Sequence, residues 1–72
     1  MMANLLGSVC GQDYVVRDIA TDDEEIKSFL FSLGCFSGES VTVVSRKKNN
    51  MTLAIKDARY GIDNELASVI LV

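Results

Sequence analysis

The chain has 72 residues, ten acidic and seven basic, for a net charge of −3, with two cysteines and no histidine. That length leaves room for one domain over residues 1–72 with a limited core, and an apolar content of 49% excludes disorder. The acidic balance excludes broad binding to nucleic acid or anionic lipid. No apolar run approaches the ~20 residues of a membrane span, so no direct membrane insertion is expected.

The opening Met1-Met2-Ala3-Asn4-Leu5-Leu6 has no Lys or Arg and too short an apolar run for a signal peptide. Leu6-Gly7-Ser8-Val9-Cys10 lacks the charged leader of a lipoprotein signal and sets bulky Val9 beside the bond that would be cut. A cytoplasmic protein with reduced thiols is expected. Spacing alone does not decide whether Cys10 and Cys35 pair.

Leu5 and Leu6 begin the apolar pattern, and Gly7 and Gly11 break it around a loop at residues 8–12. Residues 14–19 read as a first strand whose imperfect alternation assigns no faces. A helix is predicted over residues 22–33. Thr21 is placed to cap it, and Glu24 lies three residues on, where a capping box needs it. Asp22, Asp23, Glu24 and Glu25 sit at or near its first turn, where the helix dipole favours negative charge. Ile26, Phe29, Leu30 and Leu33 share one face, and burying all four contributes ~6–12 kcal/mol before entropy. Gly34 can close the helix in the left-handed conformation.

Ser37-Gly38 then reverses the chain. From Ser40 the period is two, with Val41 and Val43 on one face and Thr42 and Val44 on the other. Lys47-Lys48-Asn49-Asn50 reads as a hairpin turn. Its basic residues, with Arg46, form either a solvated hairpin loop or a phosphate or headgroup contact. Residues 51–56 alternate with Met51, Leu53 and Ile55 inward, and the chain turns again near Asp57-Ala58. Residues 59–62 return as a short strand in which Gly61 signals a bulge or a close backbone approach. Asp63 or Asn64 caps a helical turn at 64–67, and residues 69–72 form a final strand. The order suits a mostly β fold, a small five-stranded SH3-like barrel with one α-helix after the first strand and a short helical turn before the last.

No catalytic constellation emerges. Cys10 and Cys35 lack the partners of a structural zinc set, and a free cysteine is commonly a small buried hydrophobe. Consecutive helical carboxylates at Asp22–Glu25 point in different directions, and cap and dipole chemistry accounts for them. Asp63 and Glu65 have no accompanying base or nucleophile. No catalytic or metal-ligating residue and no cofactor is therefore assigned. Phe36, in a tight turn, and Phe31, off the apolar stripe, are either partner-binding anchors or pack against the segment around Leu5-Leu6.

Leu33-Gly34-Cys35-Phe36-Ser37-Gly38-Glu39-Ser40-Val41-Thr42-Val43 resembles the FeoA family: leucine-glycine, an apolar residue, a variable residue, often proline, then glycine and an alternating valine strand. Ser37 stands where proline is usual, which predicts a slightly looser turn. Gly61-Ile62-Asp63-Asn64-Glu65-Leu66-Ala67-Ser68-Val69-Ile70-Leu71-Val72 is similar to the family's closing segment, and Leu5, Leu6 and Gly11 fit its opening more loosely. The resemblance implies a non-enzymatic accessory of bacterial ferrous iron transport. Its partner would be FeoB, the membrane ferrous-iron transporter, on the side of its cytoplasmic G-protein domain. The alternatives are a metal-responsive regulatory module that binds a transition metal ion directly, and a self-associating SH3-like interaction domain forming a weak homo-oligomer.

Overall fold

A computed structural model describes residues 3–72; Met1 and Met2, which begin the leader stretch read above, lie outside the described residues. A 3-10 turn at Leu5–Gly7 leads to β1 (Asp13–Val15) and β2 (Asp18–Ile19). There follow α1 (Glu24–Ser32), β3 (Ser40–Arg46), β4 (Asn50–Ile55), β5 (Ala58–Asp63), α2 (Asn64–Val69) and β6 (Ile70–Leu71). An antiparallel four-stranded sheet runs β1-β3-β4-β5, and β2 pairs with β6 in a second, two-stranded one.

The expected SH3-like architecture is present, with one revision: the ladder stays open, because the first strand is divided between the two sheets. Val15 is exposed and Val16 buried. The Val16 N–H donates to the Glu39 carbonyl, and the next N–H, of Arg17, donates to Leu71. The chain changes sheets at that step, which is why residues 14–19 show no clean alternation.

The predicted inward residues of β3 and β4 all lie in the core. Val41 faces Ile55 and Val43 faces Leu53 across the ladder, and Met51 completes the row. After Val43 the register shifts, so that Ser45 pairs with Thr52 and Arg46 with Met51. Such a bulge re-aims the side chains beyond it. The Arg46 guanidinium donates to the carbonyls of Ser8 (2.6 Å) and Leu6 (2.7 Å), tying this strand end to the N-terminal turn. Arg46 is thus committed to the fold, unlike a wholly solvated basic run.

The helix starts later than predicted. Asp23 is its N-cap, accepting from the N–H groups of Glu25 and Ile26. Thr21 instead accepts from the N–H of Asp23, two residues on. A carboxylate at this position also meets the positive helix end, which favours it over the threonine hydroxyl. The apolar stripe is narrower too: Leu30 is fully buried, Ile26 and Leu33 pack beside the core, and Phe29 is 46% exposed. Phe29 lies about 100° round the helix from Leu30, and this short helix covers the core chiefly through Leu30.

Gly61 makes neither a bulge nor a close approach: β4 and β5 pair in unbroken register, and a Cβ there would meet nothing within 4 Å. Its turn is the two residues Lys56-Asp57, with Lys56 at φ 57°. Asp63 caps α2 by accepting from the Leu66 N–H, and the helix extends to Val69, two residues past the predicted turn.

Candidate functional site

The motif at residues 33–38 shapes one surface feature. Gly34, at φ +91°, ends α1: its N–H donates to the Phe31 carbonyl, and the Cys35 N–H reaches back to Leu30. That paired closure satisfies two free carbonyls of the last helical turn. It sends Cys35 into the core and leaves Phe36 half-buried at the surface. Gly38, at φ +92°, then reverses the chain, and the Ser37 hydroxyl donates to the Arg17 carbonyl at 2.9 Å. The Ser37 side chain thus ties this turn to the chain just after β1.

Phe31 and Phe36 meet edge to face, ring centroids 6.2 Å apart and planes at 90°. The Lys56 ammonium stands 5.9 Å from the Phe36 ring centre, within range of a cation–π attraction. Together with Leu33, Gly34, Ile55 and Tyr60 these groups line an open groove of about 480 Å³ between the end of α1 and the β4–β5 turn. Phe31 remains 50% exposed, whereas Leu5 is wholly buried in the core. The two aromatic residues singled out in the sequence therefore lie together. Lys56, Asp57 and Tyr60 complete the groove and carried no local signal, because only the β4–β5 hairpin brings them to the helix end.

The other candidates have structural places. Cys35 is buried, and burial pushes its thiol up to about 11, so it stays a neutral packing group at neutral pH. Cys10 is exposed, and both cysteines are free. Among the described residues no three His, Cys, Asp or Glu side chains gather as a metal site. Asp63 and Glu65 are the cap and first turn of α2. No described helix is long and apolar enough to cross a membrane.

A bent, mostly β domain of this order, with a helix inserted ahead of the long hairpin, is an SH3-like domain. The chain belongs to the FeoA domain family, whose model matches residues 7–72. A solved FeoA structure, described as an iron uptake regulatory protein, superposes with a TM-score of 0.89 at 20% identity, covering 100% of this chain and 96% of that one. A FeoA-like protein from Clostridium acetobutylicum gives 0.84 at 12% identity, covering 97% and 83%. A manganese-dependent transcriptional repressor gives 0.89 at 20% identity over 99% of this chain, which spans only 40% of the repressor. No curated protein matches the chain.

Proposed function

We propose that this domain is a non-enzymatic accessory of bacterial ferrous-iron uptake that docks on the cytoplasmic G-protein side of a FeoB-type transporter and modulates it. Family membership supports the setting, since one solved member is described as an iron uptake regulatory protein. The single observation that carries docking is the groove, where a half-exposed Phe31 stands against Phe36 and Lys56. Aromatic groups held in place by neighbours are the usual anchors of protein interfaces. The test is calorimetric titration of the domain with the soluble G-protein domain, in GDP and in a non-hydrolysed GTP analogue. Binding in at least one state, weakened roughly tenfold or more by Phe31→Ala, is the expected result. Absence of binding in every nucleotide state defeats the proposal.

A second reading, a metal-responsive regulatory module, draws on the likeness to the manganese-dependent repressor. Anaerobic calorimetry with ferrous iron and zinc separates the two. Affinity weaker than about 1 mM removes the sensor reading.

A further inference from the structure

β5 is an edge strand: it is hydrogen-bonded to β4 on one side and to no described strand on the other. Ile55 and Ala58 close the β4–β5 hairpin across a two-residue turn, so they exchange backbone hydrogen bonds, and the alternation follows from there. Ala58, Tyr60 and Ile62 direct their N–H and C=O groups toward β4. Arg59, Gly61 and Asp63 direct theirs toward the open edge. The N–H and C=O groups of Arg59 and Gly61 and the Asp63 N–H enter no turn, loop or cap hydrogen bond among the described residues, whereas the Asp63 carbonyl, at the N-cap of α2, also takes the first bond of that helix. The side chains of Arg59 and Asp63 are exposed, and Asp63 keeps an extended backbone (φ −85°, ψ 174°) to the end of the strand.

Natural edge strands are usually blunted by shortness, proline, bulges, charged side chains or a covering helix or loop. β5 has six residues in unbroken register and no proline, and its two outward charges are of opposite sign and flank Gly61 symmetrically. We infer that β5 pairs antiparallel with β5 of a second copy of this chain, about a two-fold axis through Gly61. In that register Gly61 faces Gly61, and each Arg59 faces Asp63 of the other copy, so the interface is self-complementary, as a two-fold contact requires. Opposite charges directly across a ladder attract, and like charges repel. Sliding the register by two residues sets Arg59 or Asp63 opposite glycine, and sliding it by four sets a like charge against itself. A parallel arrangement sets Arg59 against Arg59. Only the register centred on Gly61 satisfies both charges.

The pairing joins two four-stranded sheets into one and is independent of the transporter reading. Amide hydrogen exchange on the full chain tests it without any variant. Between about 10 μM and about 1 mM protein, exchange of the Gly61 N–H, which faces away from β4, slows roughly tenfold or more as dimers fill. Sedimentation across the same range shows a monomer–dimer equilibrium. Arg59→Glu weakens it roughly tenfold or more by setting a carboxylate against Asp63. Asp63→Asn weakens it less and keeps the α2 cap, since asparagine caps as well as aspartate, and Phe31→Ala leaves it unchanged. A chain that stays monomeric with concentration-independent Gly61 exchange overturns the inference. So does a dimer that survives Arg59→Glu, or one that Phe31→Ala abolishes.

Discussion

Replacing Gly34 by alanine tests how the helix end, the core and the groove are joined. Gly34 sits at φ +91°, and a Cβ there would come within 3.2 Å of the Ile55 Cγ2. The left-handed backbone costs a side-chain-bearing residue ~1–2 kcal/mol. The contact adds ~1–2 kcal/mol more, because Ile55 is buried among close-packed neighbours and has little room to give. The expected loss is therefore about 2–4 kcal/mol, or roughly 10–25 °C in melting temperature for a domain of this size. Gly38→Ala is the matched control: its φ is +92°, and nothing lies within 4 Å of the added carbon. It should lose only the backbone part, ~1–2 kcal/mol. Urea melts followed by circular dichroism give both numbers. If Gly34→Ala costs no more than Gly38→Ala, the packing argument is wrong. If both lie within ~0.5 kcal/mol of the parent, the conformational argument fails as well.

Asp23→Ala should cost ~1 kcal/mol as a lost N-cap, more than Thr21→Ala; the reverse order in thermal melts would return the cap to Thr21. Arg46→Met keeps the aliphatic stem but frees the Leu6 and Ser8 carbonyls, and about 1–2 kcal/mol of stability goes with it; an unchanged urea midpoint would show those bonds to be idle. The buried Cys35 thiol holds its proton up to about 11, whereas the unfolded chain releases it near its ordinary value. The native state thus binds more protons across that window, and stability falls as pH rises from about 9 to about 11, by up to ~3 kcal/mol. Denaturant melts at several pH values should show this slope in the parent and a shallower one in Cys35→Ala; equal slopes would refute the assignment. Iodoacetamide at neutral pH should label Cys10 in the folded chain and Cys35 only after unfolding.

Local pattern alone carried much of this protein. The alternation through Val41, Val43, Met51, Leu53 and Ile55, the glycine stop at Gly34 and the turn at Gly38 are written in short-range sequence, since backbone period and positive φ are properties of a few neighbouring residues. The motif around them also pointed to the family before any coordinates did. Tertiary structure decided what depends on residues distant in the chain. It divided residues 14–19 between two sheets, because Val16 and Arg17 bond to different partners. It turned Phe29 outward, because the face a helix buries is set by what lies beneath it. It brought Lys56 and Tyr60 to Phe31 and Phe36, and among the described residues it left the outer edge of β5 without a partner strand. Periodicity shows which side chains seek the interior, but a groove and a sheet edge exist only where separate segments of the chain meet or fail to meet.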